Sequence, residues 1–146
     1  MNAGTPGSYT ITYVATDPSG NSATNTRTVV VVDTIAPVIT VLGANPLTNE
    51  CSVAFVDPGA TASDSCAGVL AVTTNSTVNA GTPGSYTITY VATDPSGNST
   101  TNTRTVVVVD TTAPVITVLG ANPLTNECSV AFVDPGERLT TIRRIQ

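Results

Sequence analysis

At 146 residues the chain has room for one ordinary domain or two small ones, so any core must be modest. About a third of the residues are Thr or Val, only 10% are charged, and Lys, His and Trp are absent altogether. The formal charge of −5 and pI near 4.2 argue against electrostatic binding of nucleic acid or of an anionic membrane, since phosphate contacts need clustered Lys and Arg.

From the start of the chain, Met1-Asn2-Ala3-Gly4-Thr5-Pro6-Gly7 shows neither a basic segment nor an apolar one of the kind an export signal needs. The aliphatic run Val29 to Val32, repeated at Val106 to Val109, is far too short to span a bilayer, and no direct membrane insertion is expected. Residues 2–59 recur at 79–136 with an offset of 77, differing only at Ala23/Thr100 and Ile35/Thr112. The repeat divides the chain into the C-terminal part of one module (1–33), a complete module (34–110), the N-terminal part of a third (111–136) and an off-pattern tail (137–146). Met1 stands where the repeat has Val78, as an initiator read from a valine-type codon inside a longer gene would. After Gly136 the repeat pattern gives way to Glu137-Arg138-Leu139, and the change from an acidic to a basic stretch suggests a frameshift or an unrelated terminus.

Within the complete module, Val38 to Leu42 reads as a first strand, closed by Gly43, Asn45 and Pro46, with Thr48 to Phe55 extended after it. Asp57-Pro58-Gly59 is a turn in which Pro58 presets φ and Gly59 accepts a positive one. A short strand follows at Val69 to Thr74. Ser85 to Asp94 alternates cleanly, with Tyr86, Ile88, Tyr90 and Ala92 on the face that should pack. The turn Asp94-Pro95-Ser96-Gly97-Asn98 leads into a last strand, Thr101 to Val109, completing a hairpin. Six or seven strands in one repeat, with Gly and Pro between Val/Thr runs, suit an all-β sandwich. Lone hairpins are marginal in water, so a cooperative fold is expected for 34–110 only, and the part-modules should fray, aggregate or complement one another.

Cys51 and Cys66 lie in one module, and a bridge between them would close a loop worth roughly 3 kcal/mol, the kind of staple small secreted domains use. Cys128 repeats Cys51, its partner position is Arg143, and it is therefore expected as a free thiol. Without His or a Cys-x-x-Cys pair, zinc lacks its usual ligands. Calcium is the better alternative: Asp33 and Asp110 sit at module junctions, and Asp57, Asp64 and Asp94 in loops. Asp57 and Asp94 are, however, accounted for as residues capping their own turns, so no cofactor is expected, with Asp33, Asp110 and Asp94 the candidates if a metal binds. General acid/base chemistry would fall to scattered acids with no cleft around them, and no catalytic residue is assigned.

Several segments carry a family resemblance: Ala36-Pro37-Val38-Ile39-Thr40, Asp57-Pro58-Gly59-Ala60-Thr61-Ala62, Gly84-Ser85-Tyr86-Thr87-Ile88-Thr89-Tyr90 and Ala92-Thr93-Asp94-Pro95-Ser96-Gly97-Asn98. Over residues 2–136 the chain resembles the bacterial immunoglobulin-like repeats of surface adhesins and pesticidal crystal proteins, which are related to hyalin repeats. At Gly84-Ser85-Tyr86 the spacing is similar to the tyrosine corner of immunoglobulin folds, where the Tyr86 hydroxyl would bond back to nearby backbone. The resemblance implies immunoglobulin-like β-sandwich modules in tandem, with Tyr86, Pro58, Gly59 and Gly97 as structural positions. It implies a secreted or cell-surface protein in which the modules act as spacers or stalks supporting adhesion, and no catalysis. The partners expected are neighbouring modules of the same larger protein, and an extracellular protein or glycan if the modules bind anything; a carbohydrate-binding accessory module is the rival reading.

Overall fold

The computed structural model describes residues 4–139, and their side chains through residue 136. They fall in two units, one up to Val109 and one from Asp110, and strands are the only regular elements among the described residues.

The first unit opens with an antiparallel hairpin, β1 (Gly7–Thr16) and β2 (Ser22–Val31), closed by the turn at Asp17. Seven strands follow: β3 (Val38–Val41), β4 (Leu47–Glu50), β5 (Ala60–Asp64), β6 (Gly68–Leu70), β7 (Thr73–Ser76), β8 (Gly84–Thr93) and β9 (Ser99–Val109). They make two sheets, β3-β5-β6 and β4-β9-β8-β7, with β4 parallel to β9 and every other pairing antiparallel. This is the all-β, immunoglobulin-like sandwich the sequence predicts. The second unit pairs β10 (Ile116–Val118) with β11 (Glu137–Leu139). Ile116↔Leu139 reproduces the register Ile39↔Ala62 one repeat earlier, so the altered sequence after Gly136 still takes up the ladder for three residues.

Two expected elements differ, and one strand is additional. The extended stretch Thr48 to Phe55 ends at Glu50, because the chain turns through Ser52, whose φ is 65°, and Ser52 N–H is held by Ala80 O at 2.7 Å. The single strand at Val69 to Thr74 is two strands in different sheets, β6 on β5 and β7 on β8. Strand β5 was not expected at all, because its Ala60-Thr61-Ala62-Ser63-Asp64 lacks the aliphatic residues that mark a strand.

The core is Ile39, Cys51, Ala62, Ile88, Tyr90, Ala92, Val106 and Val108, with Phe55 and Tyr86 packed against it. On β8 the buried positions alternate through Ile88, Tyr90 and Ala92. Tyr86 donates its hydroxyl to Thr82 O at 2.8 Å, four residues back. The Pro58-Gly59 turn has Gly59 at φ 80°, a left-handed conformation that an L side chain would strain, and Asp57 Oδ1 accepts from Gly59 N–H at 3.1 Å.

Through this apolar layer runs one polar network that the sequence reading missed. Arg104 is fully buried, on the same face of β9 as Val106 and Val108. Its Nε donates to Tyr90 Oη at 3.0 Å and lies 3.4 Å from Asp57 Oδ1; its terminal nitrogens donate to the carbonyls of Ala44, Leu42 and Gly59. The Tyr90 hydroxyl in turn donates to the Asp57 carboxylate at 2.7 and 2.9 Å. Burial, and then the hydrogen bond to Asp57, push the Tyr90 phenol above its ordinary range. A raised value means the folded state holds the proton more tightly than the unfolded chain. The stability it confers is complete below the ordinary tyrosine value of about 10 and is lost as pH rises through the folded-state value. Urea unfolding followed from pH 8 to pH 11 should therefore show stability falling above about pH 10, and Tyr90→Phe should flatten that fall.

The expected bridge between Cys51 and Cys66 is not formed; both are thiols. The fold places them at opposite ends of the sandwich. Cys51 N–H bonds to Val109 O at the end of β9, whereas Cys66 lies in the β5–β6 turn beside Pro95 and Ser96, just before β9 begins. At about 3.3 Å per residue, β9 separates them by roughly 30 Å, against the 4.4–6.8 Å between Cα atoms, roughly, that a disulfide requires.

Candidate metal centre

The end of the sandwich nearest the N-terminus gathers three carboxylates from three parts of the chain. Asp33 follows β2 in the linker, Asp64 ends β5, and Asp94 follows β8. One carboxylate oxygen from each lies within 4.8 Å of the others. Asp64 and Asp94 are buried and Asp33 is half-buried.

Each acid is placed by a local reason. The linker is pinned by fully buried Pro37, whose ring fixes φ, and Asp33 Oδ1 accepts from Ile35 N–H at 3.2 Å. Asp64 Oδ1 caps the β5–β6 turn, accepting from Cys66 N–H at 2.7 Å and Ala67 N–H at 2.8 Å. Asp94 caps the β8–β9 turn: Oδ1 accepts from Asn98 N–H at 2.9 Å and Oδ2 from Asn98 Nδ2 at 2.8 Å, with Gly97 at φ 91°. Asn98 also donates from Nδ2 to Asp33 O at 3.2 Å, tying the linker to this turn.

The turn at Asp17, one repeat earlier, has the same capping, with Asn21 N–H and Nδ2 both donating to Asp17 at 2.8 Å. Turn geometry alone therefore says nothing about a metal. What singles out the Asp94 end is Asp64, whose Oδ2 is buried without a hydrogen-bond partner. A buried carboxylate oxygen left unpaired is costly, and the two backbone donors on Oδ1 hold the Asp64 carboxyl below its usual range, so that it carries its charge. Two further carboxylates beside it add like-charge repulsion, which a cation would reverse.

The three oxygens are close enough to share one cation: at a Ca–O distance of about 2.4 Å, oxygens up to about 4.8 Å apart can meet the same ion. Three monodentate carboxylates leave room for the water and carbonyl ligands that calcium also accepts, whereas magnesium demands a tighter octahedron. Cys66, beside the cluster, has its thiol pushed up by burial and by Asp33, Asp64 and Asp94, so this end of the module is a region of negative field.

Of the sequence candidates, Asp33 and Asp94 are brought together, joined by Asp64. Asp110 is exposed; the repeat puts Thr141 where Asp64 stands, and Asp110 joins no such cluster among the described residues. In the sequence Asp64 reads only as a loop acid. The signal that could have found it is register: Ala60, Ala62 and Asp64 alternate inward, so a carboxylate occupies a core-facing position.

A family profile described as a bacterial surface protein, Ig-like domain, matches residues 1–31 and 39–108. Hyalin of Strongylocentrotus purpuratus is 39% identical over 123 residues, covering 77% of this chain and 10% of hyalin's own length. Hyalin of Lytechinus variegatus is 42% identical over 134 residues, 85% of this chain and 25% of its own. A serine-rich adhesin for platelets of Staphylococcus aureus strain MRSA252 is 38% identical over 117 residues, 68% of this chain and 8% of the adhesin. The chain thus spans a quarter or less of each of these relatives.

Proposed function

The chain belongs to the bacterial surface protein Ig-like domain family, and on that footing we propose that its modules are structural segments of a cell-surface or secreted stalk, with the junction that enters the complete module stiffened by a calcium ion held by Asp33, Asp64 and Asp94. The observation that carries this reading is the placement of the carboxylates: one comes from the linker and two from the ends of the sandwich sheets, so a shared cation would fix the linker to the module. A spacer transmits force and sets distance, and neither needs catalysis. An adhesin among the relatives is consistent with modules that support adhesion at a distance from the surface.

The rival reading, a glycan-binding accessory module, has less support. All three aromatics of the complete module are packed inward: Tyr90 within the core, Phe55 and Tyr86 against it. Tyr90 has no exposed ring face on which a sugar could stack, and Phe55 and Tyr86 are only partly exposed. Backbone ¹⁵N relaxation of the full chain tests the stalk reading. With calcium, the β1–β2 hairpin and the β3–β9 sandwich should share one rotational correlation time; with chelator the hairpin should reorient faster. Equal values in both conditions would remove the cation from the account.

A further inference from the structure

We propose that the cysteines of this repeat link consecutive modules: the Cys51-type thiol at the C-terminal end of one module is the disulfide partner of the Cys66-type thiol at the N-terminal end of the next. The inference rests on the tandem-module reading and not on the cation.

Cys51 and Cys66 lie at the two poles of one sandwich, each where a neighbouring module attaches. Cys51 packs at the exit pole: its N–H bonds to Val109 O, the last residue of β9, and the next N–H, of Ser52, bonds to Ala80 O at 2.7 Å. Cys66 is at the entry pole, where its Sγ lies 3.5 Å from Gly4 O of the preceding part-module. It lines a groove there with Gly4, Thr5, Pro6, Asp33 and Pro95. The repeat connects these two observations. Residues 2–33 correspond to 79–110, so Gly4 corresponds to Gly81, which directly follows Ala80. In the complete module the segment beside Gly81 is held by the residue after Cys51. In the preceding module that same segment touches the Cys66 thiol. Completing the preceding module by the repeat therefore brings its Cys51-type residue beside the segment that touches the Cys66 thiol.

An inter-module bond also accounts for the cysteine inventory. Cys51 would take the thiol at the Cys66-type position of a following module, position 143, which is Arg143 here; Cys66 would take the Cys51-type thiol of a complete preceding module. All three cysteines are thiols. Forming the bond removes one proton from each of two thiols and passes two electrons to an oxidant of the disulfide class. One thiolate attacks that disulfide, and the second cysteine displaces the mixed disulfide, leaving two reduced thiols of the oxidant as the other product.

The test uses the full chain and the full chain preceded by a second copy of residues 34–78 placed ahead of residue 2, which completes the first module. Both are refolded in oxidised and reduced glutathione, with calcium and with chelator, and mapped by non-reducing mass spectrometry after cleavage at Asp57. In the extended chain, Cys66 should be joined to the copied Cys51, while the original Cys51 and Cys128 stay free of Cys66. In the unextended chain Cys51 and Cys66 should remain unlinked to each other, and Cys66→Ser in the extended chain should release the copied Cys51, of the two cysteines in the copied segment, as a thiol. A Cys51–Cys66 bond within one module, in either chain, or an unlinked Cys66 in the extended chain, would overturn the proposal. The linkage should form with or without calcium, so failure of the cation reading leaves it standing, and the converse.

Discussion

Calcium should raise the thermal midpoint of the first unit by about 10 °C when the free ion stands a hundredfold above its dissociation constant, since binding to the folded state alone then contributes about 2.7 kcal/mol and a unit of this size shifts by about 4 °C per kcal/mol. Three carboxylates on a module of this kind set the expected affinity in the range of extracellular sites, about 10⁻⁴ to 10⁻³ M. The informative variant is Asp64→Asn. Its side-chain oxygen can keep the hydrogen bonds from Cys66 N–H and Ala67 N–H that cap the turn, while the unpartnered Oδ2 becomes an amide nitrogen that can donate to Asp33 or Asp94. The variant should therefore lose the calcium shift and yet melt at or above the temperature of the parent in chelator, because one of three crowded charges is gone. Asp17→Asn, at the matching turn of the hairpin, should leave the calcium shift unchanged. A parent without a shift, or an Asp64→Asn chain that keeps it, would show that the carboxylates cluster for another reason. Differential scanning calorimetry with calcium, magnesium and chelator separates these results.

How much of this was legible in the sequence follows from where the signals are carried. The strands β8 and β9 announce themselves through alternation, and their turn through Asp94-Pro95-Ser96-Gly97-Asn98, because both signals are local. Strand β5 is Ala, Thr and Ser, so nothing local marks it; it exists because β3 and β6 pair on either side of it. Without that strand, Asp64 has no register and cannot be seen to face inward toward Asp94. The cysteine pairing failed for the same physical reason. Separation along the chain says how long a loop a bridge would close but not which pole of the sandwich each thiol occupies, and that is decided by β9 running between them. Asp33 and Asp94 were legible as candidates because junction and turn acids can be read from the repeat; their convergence on one point could not be.

Arg104→Ala should destabilise the first unit by about 3–5 kcal/mol, the usual consequence of removing one partner of a buried charged pair. The chain itself contains the control. Residues 2–33 repeat 79–110, so Arg27 and Tyr13 on the hairpin are the twins of Arg104 and Tyr90 in almost the same sequence. On the hairpin no second sheet covers them: Tyr13 is 49% exposed, and the Arg27 guanidinium sits 6.0 Å above its ring. In the complete module the facing sheet buries both residues fully, and the guanidinium is met by Asp57, Tyr90 and the carbonyls of Leu42, Ala44 and Gly59. Two of those carbonyls flank Gly43 and the third ends the Asp57-Pro58-Gly59 turn, so one side chain on β9 holds the two loops that meet at one end of the β3–β5 pair, where Val41 pairs with Ala60. Arg27→Ala, by contrast, should change stability by less than about 0.5 kcal/mol, as an exposed substitution does. If urea unfolding gave the two substitutions equal effects, the network around Arg104 would be incidental. If it gave the expected difference, the arginine would be the residue that locks the two sheets of each module together, and the exposed hairpin pair would show what the same residues are worth without the opposing sheet.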